Sequence, residues 1–174
     1  MAKFLTLNTH SWMEEEQESK LNQLAERILQ EKYDVICLQE VNQLVESEQV
    51  VQAPFYYAVD GAIPIHQDHY ALRLVEKLAE ADLDYYWSWA YNHIGFDIYN
   101  EGVAILSRKP LKARELLVSD VNDPSDYHTR KVLLAETELD GQLITVASCH
   151  LSWWDKGFQG EWAKFESELL QVET

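Results

Sequence analysis

The stretch Asp34-Val35-Ile36-Cys37-Leu38-Gln39-Glu40-Val41 decides how this chain is read, because an apolar run ends abruptly in a carboxylate. Val35 to Leu38 read as a strand buried on both faces. Glu40 falls at the strand's C-terminal end, where open α/β sheets present side chains to ligands. Taken alone, Glu40 reads more readily as a solvated loop carboxylate. Upstream, residues 3–8 form a second apolar strand, with Asn8 following Phe4-Leu5-Thr6-Leu7. Between the two, residues 14–32 read as a helix. Leu21, Leu24, Ala25, Ile28 and Leu29 recur at helical spacing, and an acidic first turn (Glu14, Glu15, Glu16) suits the helix dipole. Strand, helix and strand in about 35 residues make a compact βαβ-like unit. Whether the two strands run parallel is left open by the sequence.

Further along, residues 48–68 are irregular, broken by Pro54, Gly61 and Pro64. A second amphipathic helix spans 69–81, with Leu72, Leu74, Val75 and Leu78 on its apolar face. The texture then turns strand-like: Tyr85–Tyr91, Gly102–Ser107, 111–119, Lys131–Glu138 and Leu143–His150. Asp140-Gly141 is a hairpin signal between the last two. A final helix, Phe158–Val172, carries Phe158, Trp162, Phe165 and Leu169 as a stripe expected to pack on a sheet. There is no repeat, low-complexity tract or linker, so residues 1–174 read as a single domain.

Composition narrows the function. Among 174 residues, 14 Lys and Arg face 30 Asp and Glu, a formal charge of −16. Grip on a nucleic-acid backbone depends on Lys and Arg displacing counterions. A surface this acidic repels a polyanion at long range. A small substrate fits better, and nucleic acid is the less favoured partner. No apolar run reaches the ~18 residues needed to span a bilayer, so no membrane role is expected. The N-terminus enters a strand directly, without the pattern of a secretory leader, and the expected compartment is the cytoplasm. Cys37 and Cys149 both fall in strands and read as reduced core thiols.

Three further segments carry chemistry. Asn100-Glu101-Gly102-Val103-Ala104-Ile105-Leu106-Ser107 places a Glu before a Gly at a strand entry. Asp126-Tyr127-His128-Thr129-Arg130 is polar and partly cationic. Thr145-Val146-Ala147-Ser148-Cys149-His150 delivers a His at a strand end. Each alone has a plain structural reading: strand entry, turn, satisfied histidine. Together with Asn8 and Gln39-Glu40-Val41, their order resembles the endonuclease/exonuclease/phosphatase superfamily. The flanking words Asn8-Thr9-His10-Ser11-Trp12, Tyr86-Trp87-Ser88-Trp89 and Cys149-His150-Leu151-Ser152-Trp153-Trp154 look more like its bacterial maltose 6'-phosphate phosphatases.

The resemblance implies a four-layer α/β sandwich and a metal-dependent phosphoester hydrolase for a small phosphorylated metabolite, such as a sugar phosphate. Glu40 would ligate Mg²⁺ or Mn²⁺. Asn8 would orient the phosphate or the attacking water. His150 would hydrogen-bond a phosphate oxygen or protonate the leaving group, and Glu101 would hold His150 in its tautomer. Arg130 would clamp the phosphate. A nuclease of the same superfamily and a non-catalytic binding domain are the alternatives.

The superfamily also carries a Gly-Asp-aromatic-Asn motif after the His150 position and a later Ser-Asp-His. Neither is in this sequence. The chain therefore reads as the N-terminal part of the fold, roughly its first sheet and helices, with the C-terminal portion missing. Little activity is expected from it alone. It should also expose an apolar sheet face and self-associate through it.

Smaller features complete the reading. His66-Gln67-Asp68-His69 has metal-like spacing but sits at a helix start, where Asp68 would cap. Trp153 follows His150 closely enough to line a substrate cavity, and His10 lies on the Asn8 loop as a substrate contact.

Overall fold

The computed structural model describes residues 2–172. Strand β1 (Phe4–Asn8) leads through a short 3-10 turn (Ser11–Met13) and helix α1 (Gln17–Glu31) into β2 (Val35–Leu44). Helix α2 (Tyr70–Ala79) follows, then β3 (Tyr86–Gly95), β4 (Tyr99–Ser107), β5 (Leu111–Leu117), β6 (Lys131–Leu139), β7 (Gln142–Ser148) and α3 (Phe158–Val172). The first sheet has the order β1-β2-β4-β3 and the second β5-β6-β7. β1 and β2 run parallel, and all other strand pairs are antiparallel.

Alternation along the central strands explains the layering. In β2, Ile36 and Leu38 join Trp87, Trp89, Ala104 and Leu106 beneath α1 and α2. Val35 and Cys37 point the other way, with Val103 and Ile105, against Leu111, Leu133 and Ala135 of the second sheet. In β6, Val132 and Leu134 turn outward to meet Phe165 of α3. The period of two thus sorts each apolar run into two cores. Helices, sheet, sheet and helix form the four layers expected.

The structure corrects several details. The chain holds more than the first sheet, because β5, β6 and β7 form a second one. The apolar face expected to be open is therefore covered between the sheets. What stays exposed is the edge, where Phe4 of β1 is 53% accessible. The first helix starts at Gln17, and Glu14 to Glu16 precede it. Asp68 does not cap α2. It accepts from Leu44 N at 2.7 Å and from Ser47 Oγ, while His69 Nδ1 accepts from Leu72 N as the cap. Of the α3 stripe, Phe165 is buried and Leu169 packs beside it, but Trp162 is exposed. Phe158 stacks with Trp154 and Trp162 instead.

The β6–β7 turn is as read. Asp140 (φ +50°) and Gly141 (φ +79°) both adopt the left-handed conformation of a two-residue hairpin. Cys37 and Cys149 are free thiols. Burial pushes Cys37 up to about 12 and also raises Cys149.

Candidate active site

Two β-bulges build the site. On β2, Leu38 pairs with Ala104 and Val41 with Gly102, so Gln39 and Glu40 together oppose the single residue Val103. On β3, Tyr91 pairs with Gly102 and His93 with Glu101, which leaves Asn92 as an extra residue. A bulge re-aims the side chains that follow it. Without the first, Glu40 would not share the inner face with Gln39. Without the second, Asn92 would stand opposite Glu101 in place of His93. Glu40 has a φ of +52°, an unfavourable region for a residue with a Cβ.

Neighbouring groups hold this strained backbone. Thr9 Oγ1 donates to Gln39 O at 2.9 Å and to Glu40 O at 3.1 Å. Gly102 explains itself by close approach: a Cβ there would lie 2.1 Å from Ala90 O and 2.5 Å from Trp89 Nε1. Trp89 Nε1 in turn donates to Val41 O at 3.2 Å, just past the β2 bulge. Only a glycine lets β4 pass between the two bulged strands.

The carboxylate of Glu40 is ringed by donors. Asn8 Nδ2 donates to its Oε1 at 2.9 Å. His10 Nε2 lies 3.5 Å from Oε2, and His150 Nε2 lies 3.8 Å from Oε1. Asn8 Oδ1 accepts from His10 N at 3.0 Å, which shapes the loop after β1. His150 is placed from the second sheet. Ser148 Oγ donates to Leu38 O at 3.1 Å and accepts from Gln39 Nε2 at 3.3 Å, which locks the end of β7 to β2. Burial, reinforced by the charge of Arg130, lowers the pKa of His150, against the opposing pull of Glu40 and Glu101.

Arg130 comes from the β5–β6 loop. Its backbone N–H donates to Ser119 Oγ at 2.8 Å. The preceding Thr129 Oγ1 donates to Asp123 O at 2.6 Å and accepts from Asp123 N at 3.0 Å. Its guanidinium is the unusual part. Nε and Nη1 are buried and have no hydrogen-bond partner among the described residues. Leaving such donors unmade costs about 1–3 kcal/mol each, more for a charged group.

Glu40, Glu101, Arg130, His150, His10 and Trp153 all line one cavity of about 500 Å³, and Asn8 reaches it through Glu40. The expectation for Glu101 needs correction. Its Oε1 lies 3.4 Å from His93 Nε2, so His93, not His150, is the imidazole it holds. Burial would raise its pKa, but the bond and charge of His93, with the charges of His150 and Arg130, bring it below the ordinary value.

Sequence reading missed His93, His128, Phe96, Tyr127 and Lys156, which also line the cavity. Their signal was faint, since they sit on a bulged strand and on loops where no periodicity applies. His128 was noticed only as a turn residue. Its Nδ1 lies 2.7 Å from Asp126 Oδ1, and Tyr127 stacks on its ring at 3.9 Å.

Among the described residues no group of three or more His, Cys, Asp or Glu side chains is arranged to hold a metal ion. Glu40 offers one carboxylate, part of it already accepting from Asn8. That donor set fits a small hard cation held by one carboxylate, waters and ligand oxygens. It does not form an all-protein cage.

The chain matches the model of the Endonuclease/Exonuclease/phosphatase family over residues 12–170. No curated protein matches it. Among solved structures, an endonuclease/exonuclease/phosphatase family protein from Leptotrichia buccalis is similar at 31% identity and a TM-score of 0.83, covering 96% of this chain and 61% of that one. TDP2 from D. rerio, complexed with a single strand DNA product, gives 14% identity and a TM-score of 0.56, covering 99% of this chain and 54% of that one. The human Nocturnin catalytic domain with bound sulfate anion gives 14% and 0.57, covering 98% and 58%. The last two likenesses show the fold alone. The chain spans about three-fifths of the length of the Leptotrichia relative. By its match over nearly its whole length, the chain belongs to the endonuclease/exonuclease/phosphatase family.

Proposed function

We propose that this chain carries the phosphate-binding part of a metal-dependent phosphoester hydrolase acting on a small phosphorylated metabolite, a sugar phosphate above all. The observation that carries the reading is Arg130. Arg130 lines the cavity that also holds Glu40 and His150, and its Nε and Nη1, buried without a hydrogen-bond partner among the described residues, call for an anion. The planar fork of Arg matches phosphate oxygens.

Charge supports a small ligand over a polymer. Four of the six histidines (His10, His93, His128 and His150), with Arg130 and Lys156, surround the cavity, while the chain as a whole carries −16. Arg130 and Lys156 line a cleft that also holds the carboxylates of Glu40, Asp97 and Glu101, so a small anion seated on Arg130 is tolerated where an extended polyanion meets the acidic surface around it. Three exposed aromatic rings support a sugar as the remainder of the ligand. Phe96 is 65% accessible, Tyr127 62% and Trp153 77%, each on a different loop at the same cavity. Such faces stack on a ring.

In this reading the Arg130 guanidinium donates to phosphate oxygens. His150, from the end of β7 in the same sheet, donates to another. Asn8 fixes Glu40 and so the position of the carboxylate. Glu40 would hold Mg²⁺ or Mn²⁺, together with waters and a phosphate oxygen. When bound, the cation supplies Lewis-acid stabilisation of charge on the phosphoryl group.

Competition binding tests the reading. A phosphorylated sugar is expected to bind the chain in the presence of Mg²⁺, and a single-stranded oligonucleotide of equal phosphate concentration to bind far more weakly. Tighter oligonucleotide binding that collapses steeply with salt would favour the nuclease reading instead.

A further inference from the structure

Arg130 and Glu101 line the same cavity, yet no ion pair joins them. A guanidinium and a carboxylate that share a cavity can form a bidentate pair. Here Glu101, 7% accessible, turns its Oε1 to His93 Nε2 at 3.4 Å. His93, 4% accessible, spends its other nitrogen on Thr129 O at 3.2 Å. Thr129 immediately precedes Arg130, so the imidazole stands as a spacer between the carboxylate and the backbone that carries the guanidinium. The bulge at Asn92 is what brings His93 opposite Glu101.

We propose that His93 is a positioning residue: it engages Glu101 and thereby keeps Arg130 free to receive the anion. Resting on the phosphate-seat reading of Arg130, the inference adds the reason that seat stays open. Without His93 the Glu101 carboxylate is released to Arg130 and closes the site from within. The unpartnered Nε and Nη1 of Arg130 are then a consequence of His93 and not a defect of packing.

Titration calorimetry with inorganic phosphate on the 174-residue chain tests this. His93→Leu is expected to weaken phosphate binding about tenfold, by freeing Glu101 to pair with Arg130. His93→Gln, which retains an amide donor for Glu101, stays within about threefold of the parent. Glu101→Gln binds at least as tightly as the parent. The decisive variant is His93→Leu/Glu101→Gln, which removes the competitor along with its holder and returns affinity to within about threefold of the parent. A merely structural loss at His93 would be deepened, not relieved, by the second substitution. The proposal is overturned if His93→Leu binds as the parent does, if the double variant stays as weak as the single, or if Glu101→Gln loses affinity. Failure of the parent to bind phosphate at all would instead remove the seat itself, and with it the reading of Arg130.

Discussion

Asn8 Nδ2 donates to Glu40 Oε1 across 2.9 Å, which joins the end of β1 to the bulge of the parallel strand β2. Glu40 sits on a left-handed bulge, and Asn8 ends the neighbouring strand β1, so each fixes the other. This pair is the frame against which a hard cation would be placed. Millimolar Mn²⁺ is expected to raise the melting temperature of the parent chain, because a ligand that binds only the folded state stabilises it. Glu40→Gln removes the charge and should abolish that rise. An equal rise in both proteins would place the cation elsewhere.

Gly102 is the backbone requirement of the site. A Cβ at this position meets Ala90 O at 2.1 Å, and backbone cannot move aside as a side chain can. Gly102→Ala should therefore destabilise the fold by about 1–3 kcal/mol, the range for overpacking a core. Urea denaturation measures this, and a loss under about 0.5 kcal/mol would mean that the two bulged strands can separate at no cost.

Stability should fall in acid through His69. Its ring is fully buried beside Trp87 and Trp89, and burial, with the charge of His66, pushes its pKa down to about 3. The unfolded imidazole takes up a proton near pH 6.5. Between those values the unfolded state binds the extra proton, so stability is full above about pH 6.5 and declines as pH falls toward 3, by up to about 1.4 kcal/mol per pH unit. Glu101, with its lowered pKa, acts in the same direction. His69→Asn keeps a capping oxygen and loses the titration, so its urea midpoint should fall less steeply between pH 6 and pH 4. Parallel profiles for the two proteins would contradict the assignment.

Trp153 separates the rim of the cavity from its floor. Its ring is largely exposed, so Trp153→Ala should change stability by less than about 0.5 kcal/mol. Binding of a phosphorylated sugar should weaken about fivefold through loss of a stacking face, while binding of inorganic phosphate stays as in the parent. Equal losses for both ligands would place Trp153 at the phosphate instead.

The apolar runs announced the layers. Val35 to Leu38 and Val103 to Leu106 are buried on both faces, as continuous apolar strands require. Glu40, Glu101 and His150 each had a plain structural reading alone, and the fold brings all three to one cavity; Glu40 was expected at a strand end, whereas β2 continues past it to Leu44. The bulges were not legible. An extra residue in a strand breaks the period of two locally, and nothing in Tyr91-Asn92-His93 marks Asn92 as that residue. His93 was lost with it, and Glu101 was given the wrong partner. The second sheet was underestimated for a different reason: strand spacing identifies strands but not the sheet to which each belongs. The aromatic residues of α3 misled because helical spacing puts Phe158, Trp162 and Phe165 on one stripe, whereas the sheet beneath α3 reaches only Phe165 and Leu169.

The phosphate seat at Arg130 is the claim on which the account turns, and its side chain reports on it directly. In a ¹H–¹⁵N spectrum the Arg130 Nε–H signal, assigned by its loss in Arg130→Met, should shift and saturate as inorganic phosphate is added. The same titration of Arg130→Met should leave the neighbouring signals of Thr129 and His150 in place. A resonance of Arg130 that does not move at saturating phosphate, or phosphate binding that survives Arg130→Met unchanged, would contradict the account.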